Sequence, residues 1–255
     1  MNSFEISAVN INNDCYKKFN GIRQIDYLIF HHIQCNNLNE AIDALEYHGV
    51  SAHFVVTEDG EITQLVEEND IAFHAGVSYW NGIKGLNASS IGIEFLNSSP
   101  FEKIFSEEQL QSGLKLATYL KNKYKIANRF ILGHSDIAFD SQTNLLNRKQ
   151  DPSHLFNWEF FALNDIGLYP EFDNREEFNE LYFAIEDKSP KILEIKEKLA
   201  YFGYKIENFD ENFDEEMQNL AIVFNRHFNN KSNVENHNLW LKTSDYALNY
   251  LLNLI

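Results

Sequence analysis

The chain has 255 residues and a formal net charge of −17, from 21 Lys and Arg against 38 Asp and Glu. Its composition, 44% hydrophobic and 23% charged, is that of a globular protein and excludes a disordered or collagen-like chain. The negative balance argues against a protein that binds nucleic acid by neutralising phosphates, and against attraction to anionic lipid by bulk charge. The only cysteines, Cys15 and Cys35, exclude a disulfide scaffold but leave one bridge or two free thiols open. We expect no transmembrane segment, because no apolar run approaches about 18 residues, and the polar N-terminus shows no signal peptide.

Predicted strands and helices alternate through the first 165 residues. Short apolar runs predict strands, and Asp59-Gly60 between two of them predicts a hairpin turn. Helical spacing of apolar residues, preceded by Asn or Ser caps, predicts the helices. In chain order we predict a strand at 25–33, a helix at 37–47, hairpin strands at 52–57 and 62–66, a strand at 90–96, a helix at 106–124, a strand at 129–133 and a helix at 153–164. This order predicts an α/β fold with a mixed central β-sheet flanked by helices, because the hairpin argues against a purely parallel sheet.

The composition changes near residue 171, where an acidic and polar segment begins. Three helical patterns follow it, at 190–202, 213–228 and 244–252, without a strong strand run. We therefore predict a catalytic domain at 1–170, a linker at 171–187 and a small three-helix domain at 188–255.

Three residues lie where a metal site is expected in an α/β sheet. His31 lies inside the first predicted strand, at its C-terminal end, His134 follows another strand, and Asp151 lies in a polar loop before a helix. Two imidazoles and one carboxylate match a catalytic zinc site, which keeps a fourth position for water. Spacing alone does not select Asp151 over Asp136, which lies two residues after His134.

Glu94 stands in an otherwise apolar predicted strand, on the face opposite Ile91 and Ile93. A carboxylate is costly to bury there unless it is paired or used in chemistry. Glu94 would suit a general base that acts on zinc-bound water. From the residues alone, the prediction ends at an α/β domain with a His, His and carboxylate site.

Several motifs, in a fixed order over about two-thirds of the chain, carry a family resemblance. They are LIFHHI (28–33), SAHFVVTEDGEITQLVEENDIAFHAG (51–76), SIGIEFLN (90–97), ILGHSDIA (131–138) and RKQDP (148–152). With these motifs the chain resembles zinc-dependent N-acetylmuramoyl-L-alanine amidases of the AmpD and AmiD type, which are related to peptidoglycan recognition proteins. The stretch after residue 188 resembles, more weakly, the helical peptidoglycan-binding-like domain attached to some of these amidases.

The resemblance implies the roles of individual residues. One Zn²⁺ per chain would be bound by His31, His134 and Asp151. Glu94 would be the general base, and Lys149 would stabilise the oxyanion. Substrate would be bound by His74, Arg148 and Asn97, whereas His32 and His53 are expected to be structural or to line the groove.

The resemblance also implies an activity and its partners. The expected reaction is hydrolysis of the amide bond between N-acetylmuramic acid, intact or 1,6-anhydro, and the L-alanine of the stem peptide, in bacterial cell-wall turnover or recycling. The expected partners are peptidoglycan or muropeptide fragments rather than nucleic acid, and the expected state is a monomer or weak oligomer. A cell-envelope location is favoured, with the cytoplasm as the alternative.

Two departures from the family pattern concern the neighbourhood of the site. Residues 139–147 are a longer insertion than usual, expected to loop out beside the groove, and His154 replaces a residue of the usual Asp-Pro-Gly-Pro motif. A binding module without catalysis is the competing hypothesis. The presence of all three ligand types together with Glu94 and Lys149 favours the enzyme.

Overall fold

The computed structural model describes residues 5–172 and 180–255, which form two compact units. Unit 1 comprises residues up to Gly76, Gly85–His134 and Asp151–Gly167. Unit 2 comprises Val77–Lys84, Ser135–Gln150 and the residues from Leu168 onward. Short segments from the first two-thirds of the chain therefore belong with the C-terminal helices, a division that the sequence did not suggest.

The described residues of unit 1 form a six-stranded mixed sheet. Its strands are β1 (Ser7–Ala8), β3 (Tyr27–Ile33), β4 (Phe54–Val56), β5 (Ile62–Gln64), β9 (Ser90–Leu96) and β10 (Ile131–Gly133). They lie in the order β1-β5-β4-β9-β3-β10, and all neighbouring pairs are parallel except the β4–β5 hairpin, which the Asp-Gly turn predicted. A separate antiparallel pair joins β2 (Tyr16–Lys17) and β6 (Ile71–Ala72).

Two helices of unit 1 begin at capping residues that the sequence identified. Helix α1 (Leu38–Tyr47) is capped by the side chain of Asn37, and α2 (Glu107–Tyr124) by that of Ser106. Helix α4 (Trp158–Leu163) is shorter than the predicted helix at 153–164 and begins after a cap at Asn157. The predicted start at residue 153 is wrong because Ser153 has a φ of 55°, in the left-handed region, which a right-handed helix does not accommodate.

The two faces of the sheet carry different side chains. One face holds an aromatic core in which Phe30 and Phe95 lie 5.5 Å apart between ring centroids and Phe156 lies 5.0 Å from Phe95. The opposite face carries the alternate residues of β3 and β9, among them His31 and Glu94. Both central strands are largely buried, so the polar side chains on this face lie in an otherwise apolar sheet.

The described residues of unit 2 include three long helices and two small antiparallel strand pairs. The helices are α5 (Pro190–Phe202), α6 (Glu215–Phe228) and α7 (Lys242–Leu252), close to the predicted bounds. The strands are β7 (Tyr79–Trp80), β8 (Ile83–Lys84), β11 (Leu181–Phe183) and β12 (Trp240–Leu241). The predicted linker at 171–187 includes residues 173–179, outside the described residues, but its later part forms β11.

The interior of unit 2 joins the helices to two loop segments. The fully buried ring of Trp80 lies against Gly203, where an added Cβ would come 2.5 Å from Trp80 Cε2. Asp136, in the single-turn helix α3 (His134–Ile137), accepts hydrogen bonds from Tyr204 Oη at 3.1 Å and from His227 Nδ1 at 2.7 Å. These contacts anchor the segment that begins at Ser135 to helix α6 and to the residue after the α5 cap.

The insertion at 139–147 is not an open loop. Its ends pair through an antiparallel bridge between Phe139 and Leu146, and both of these side chains are buried. Arg226 of α6 donates to the Lys149 carbonyl at 3.2 Å and to Asn147 Oδ1 at 2.9 Å. The insertion is therefore a short folded-back segment held within unit 2.

Two further observations answer questions that the sequence left open. Cys15 and Cys35 are both free thiols, and Cys15 is buried in an apolar cluster with Val55 and Leu96. Among the helices of residues 5–172 and 180–255, none has the length and apolarity needed to span a bilayer.

Candidate metal centre

Strand register brings the first two polar residues of the site together. His31 of β3 is the direct partner of Glu94 in the parallel strand β9, and Glu94 is in turn the partner of Val55 in β4. Register partners project to the same face of a sheet, with strands about 4.8 Å apart. Glu94, which is 8% exposed, therefore lies beside His31.

His31, His134 and Asp151 converge on one point. The Nδ1 atoms of His31 and His134 are 3.1 Å apart, and Asp151 Oδ2 lies 2.9 Å from the first and 3.0 Å from the second. A tetrahedral zinc ion with bonds of about 2.0–2.1 Å holds its ligand atoms roughly 3.3 Å apart. The three atoms thus form a nearly equilateral triangle of the size and chemistry that zinc requires.

The charge at this triangle is concentrated on Asp151. Burial opposes ionisation of the carboxyl, but the charge and hydrogen bonds of His134 and His31 hold the pKa of Asp151 well below its ordinary value. An ionised carboxylate beside two imidazoles is the donor set of a catalytic zinc site with three protein ligands. The residues therefore fit the ion that the family resemblance implied.

Asp136, the alternative ligand of the sequence analysis, lies outside this triangle. Its side chain is fully buried in unit 2, with its two oxygens bonded to Tyr204 and His227. The group of candidate ligands contains Asp151 instead. The geometry thus separates two aspartates that spacing along the chain left equivalent.

His74 lies behind His31, within the protein. Only 7% of His74 is exposed, and its Nδ1 is 3.0 Å from His31 Nε2. Burial, and then the neighbouring charge of His31, lowers the pKa of His74 well below its ordinary value. The predicted role of His74 in substrate binding remains a prediction, and its observed contacts are with the protein.

The other predicted substrate-binding residues also contact the backbone. The amide of Asn97 donates to the Lys103 carbonyl at 2.9 Å and accepts from the Ser99 N–H at 2.9 Å. In unit 2, Arg148 donates to the carbonyls of Phe139 and Val77 at 3.0 and 3.1 Å. Both side chains have a structural use, and their predicted contacts with substrate are untested.

Lys149, the predicted oxyanion-stabilising residue, is an exposed residue of unit 2. It precedes Asp151 by two positions in the chain, and its carbonyl is the one bound by Arg226.

His53 is structural, as expected for this position. Its Nδ1 accepts the N–H of Gly92 at 3.0 Å, and its Nε2 lies 3.2 Å from the Asp70 carbonyl and 3.0 Å from Arg23 Nη2. Burial, and then the charge of Arg23, lowers the pKa of His53 to about 3. His53 is therefore a neutral core imidazole.

One residue near the site gave no signal in the sequence. Asn87, in a short 3-10 turn, accepts the backbone N–H groups of His74 and Ala75 at 3.1 and 2.7 Å with its Oδ1. A single Asn in a polar loop looks like any other loop residue. Its contacts arise only when residues separated by 12 or 13 positions meet in space.

Comparison with known proteins places the chain in a family. Residues 21–154 match the family model described as N-acetylmuramoyl-L-alanine amidase, and the chain belongs to this family. It is 28% identical to the N-acetylmuramoyl-L-alanine amidase AmiD of Escherichia coli over 223 residues, 80% of this chain and 75% of that protein. It is 40% identical over 111 residues to the 1,6-anhydro-N-acetylmuramyl-L-alanine amidase AmpD of Haemophilus influenzae, 43% of this chain and 55% of that protein.

Solved structures extend the likeness into the C-terminal helices. The complex of Escherichia coli AmiD with anhydro-N-acetylmuramic acid-L-Ala-D-γ-Glu-L-Lys superposes with a TM-score of 0.73 and 26% identity, covering 92% of this chain and 91% of that one. AmpDh3 of Pseudomonas aeruginosa shares the fold, with a TM-score of 0.74 and 22% identity over 96% of this chain and 98% of that one. The mixed α/β fold predicted from the sequence is thus confirmed.

Proposed function

We propose that this protein hydrolyses the amide bond between N-acetylmuramic acid, intact or 1,6-anhydro, and the L-alanine of the stem peptide. The observation that carries the proposal is the convergence of His31, His134 and Asp151 beside Glu94 on the neighbouring strand. Family membership supports the reaction class, and the AmiD complex with an anhydromuramyl peptide supports the substrate class.

In this proposal, His31 Nδ1, His134 Nδ1 and an Asp151 oxygen would hold the zinc ion. Bound there, zinc would supply Lewis-acid chemistry and lower the pKa of a bound water towards about 7. The two imidazoles must be neutral to bind a metal, so acid weakens the site through their protonation.

Glu94 is proposed as the proton carrier. Its carboxylate removes a proton from the attacking water as the oxygen adds to the amide carbonyl, and then gives that proton to the departing amine of L-alanine. The carbon–nitrogen bond breaks as the nitrogen becomes protonated, which yields the free lactyl carboxylate and the free stem peptide. Lys149 is proposed to stabilise the negative charge that develops on the carbonyl oxygen.

The compartment and partners follow as proposals of the same kind. We infer an envelope enzyme, a monomer or weak oligomer, that acts on peptidoglycan or its fragments. The helices after residue 188 favour the envelope location, because a segment that binds peptidoglycan would serve an enzyme that acts on the wall itself. The C-terminal helices are proposed to be the peptidoglycan-binding-like segment.

The test is mass spectrometry of defined anhydro and reducing muropeptides after incubation with the protein, with and without a chelator. We expect release of free stem peptide that stops when the metal is removed and returns when Zn²⁺ is added. Glu94→Gln should bind zinc normally but lose at least about 100-fold in turnover, the usual contribution of a general base. Intact muropeptides in every sample, with zinc bound, would contradict the proposed activity and favour a binding module.

A further inference from the structure

We propose that the His74-Ala75 segment, held by Asn87, orients both histidine ligands of the metal site. The proposal rests on the zinc site of the proposed function and goes beyond it, because it assigns positioning roles to His74 and Asn87. Its evidence is a set of directed hydrogen bonds within unit 1.

The ligand geometry determines which nitrogen of each imidazole carries the proton. Because Nδ1 of His31 and of His134 faces the shared ligand point, each needs its lone pair there, and the proton must be on Nε2. His134 Nε2 then donates to the Ala75 carbonyl at 3.2 Å, and His31 Nε2 donates to His74 Nδ1 at 3.0 Å. His74 and Ala75, which are adjacent in the chain, thus accept the hydrogen bonds that the Nε2–H groups of the two ligands donate.

His74 is itself held in the state that accepts a hydrogen bond. Its Nε2 donates to Ser90 Oγ at 3.1 Å, and Ser90 Oγ donates to the Leu86 carbonyl at 2.7 Å. All donors in this series of hydrogen bonds point away from the metal site, from His31 through His74 and Ser90 to a carbonyl that can only accept. A neutral His74 with its proton on Nε2 is the one form that satisfies both of its neighbours.

The backbone of the segment is fixed by a single side chain. Asn87 Oδ1 accepts the N–H groups of both His74 and Ala75, at 3.1 and 2.7 Å. This pair of bonds fixes the position of the Ala75 carbonyl and of the His74 ring at once. Asn87 is only half-buried and lies in a turn, so its side chain can be changed without opening the core.

The absence of a side chain at Gly92 leaves space for the His74 ring on the sheet. Gly92 of β9 lies beneath the ring, and a Cβ at that position would come 2.5 Å from His74 Cγ. The ring of His74 stands perpendicular to that of His31, at 90° and with 5.1 Å between centroids. The glycine of the Ile-Gly-Ile-Glu strand is therefore explained by the imidazole that packs over it, two residues before Glu94.

An outer partner of this kind raises the basicity of a metal-bound imidazole and restricts its rotation. Loss of such a partner typically weakens metal binding by about 10- to 100-fold. We therefore expect the effect of changing His74 to appear in zinc affinity, before any effect on substrate is considered.

The experiment measures the Zn²⁺ dissociation constant by competition with a fluorescent chelator, and the absorption spectrum of the Co²⁺-substituted protein. His74→Phe removes the acceptor while keeping a buried ring, and we expect about 10- to 100-fold weaker zinc binding with an altered cobalt spectrum. Asn87→Ala should weaken zinc binding in the same direction, and Asn87→Asp, which keeps an acceptor oxygen, should restore it. His237→Phe, at a buried histidine of unit 2, is the matched control and should leave the constant unchanged.

The melting temperature of each zinc-free protein separates positioning from folding. A zinc defect in Asn87→Ala with an unchanged zinc-free melting temperature supports the proposal even if His74→Phe folds poorly. Wild-type zinc affinity and cobalt spectra in both variants would overturn the proposal. Lost turnover in His74→Phe at normal zinc affinity would instead support the predicted role of His74 in binding substrate. Failure of the wild-type protein itself to bind zinc would instead refute the proposed function, and the inference with it.

Discussion

Asp136 and Asp151 provide the sharpest test of the site, because both were candidate ligands from the sequence. In the structure, Asp136 accepts two hydrogen bonds within unit 2, from Tyr204 and His227, whereas Asp151 is one of the three candidate metal ligands. The same substitution, Asp→Asn, should therefore have opposite consequences at the two positions. It preserves size and changes only the charge and the number of acceptor atoms.

At Asp136 the expected loss is in folding. The side chain is fully buried, and an amide has one acceptor oxygen where the carboxylate has two. Losing one hydrogen bond to a charged group costs about 1.5–3 kcal/mol, and leaving its buried donor unsatisfied adds about 1–3 kcal/mol. We expect Asp136→Asn to lower the free energy of unfolding by about 2.5–6 kcal/mol, with zinc affinity close to wild type.

At Asp151 the expected loss is in metal binding. The neutral amide is a poor zinc ligand, so Asp151→Asn should weaken zinc binding by more than the roughly 100-fold that loss of an outer partner costs. The zinc-free variant should also lose about 1.5–3 kcal/mol of stability, because Asp151 accepts charge-assisted hydrogen bonds from His31 and His134 when no metal is bound. The quantity that identifies Asp151 as a ligand is therefore the zinc affinity.

Urea unfolding in the presence of a chelator, followed by circular dichroism, measures the free energy of unfolding of each zinc-free variant. Competition with a fluorescent chelator measures its zinc affinity. The assignment would be wrong if Asp136→Asn lost zinc at unchanged zinc-free stability while Asp151→Asn retained it. That result would make Asp136 the ligand.

Three further predictions concern other parts of the chain. Lys149→Ala should lower turnover on muropeptides by about 100- to 1,000-fold at unchanged zinc affinity, as loss of an oxyanion partner does, and unchanged turnover would remove Lys149 from the mechanism. The pKa of His53 is about 3 in the folded protein, so the unfolded chain binds more protons below pH 6.5 and stability must fall with pH from about 6.5 towards 3. Urea unfolding of the zinc-free protein should show a loss of about 2 kcal/mol between pH 6.5 and 5 from this group, a loss that His53→Gln should abolish. Gly203→Ala should cost about 2–4 kcal/mol, because its φ of 145° disfavours a side chain and the new Cβ would come 2.5 Å from Trp80; thermal unfolding at the wild-type temperature would contradict this packing.

Much of unit 1 was readable from local patterns. The strand at 90–96, the Asp-Gly hairpin and the caps at Asn37 and Ser106 all lie where the sequence indicated. These features depend on interactions between residues close in the chain, such as a side-chain oxygen and an N–H three positions later. They therefore predict the same local structure in any fold.

The sequence also determined the kind of chemistry through its residue types. Two histidines at strand ends, an acid in an apolar strand and an aspartate in a polar loop indicated a zinc site, and the order of the motifs indicated the family. Residue spacing alone could not choose between Asp136 and Asp151, although the family resemblance of the RKQDP motif implied Asp151. That choice depends on which oxygen comes within 3.0 Å of both imidazoles, and the ligand residues are separated by up to 120 positions.

Only the tertiary structure decided the surroundings of the ligands and the division of the chain. The Nε2–H groups of His31 and His134 donate to His74 and Ala75, a segment that Asn87 holds. Residues 77–84 and 135–150 pack with the C-terminal helices. Neither arrangement has a periodic pattern in the sequence, because both depend on single contacts between residues that are far apart in the chain. A sequence carries the residue types that make a site possible, whereas hydrogen-bond direction and close packing exist only once distant segments have met.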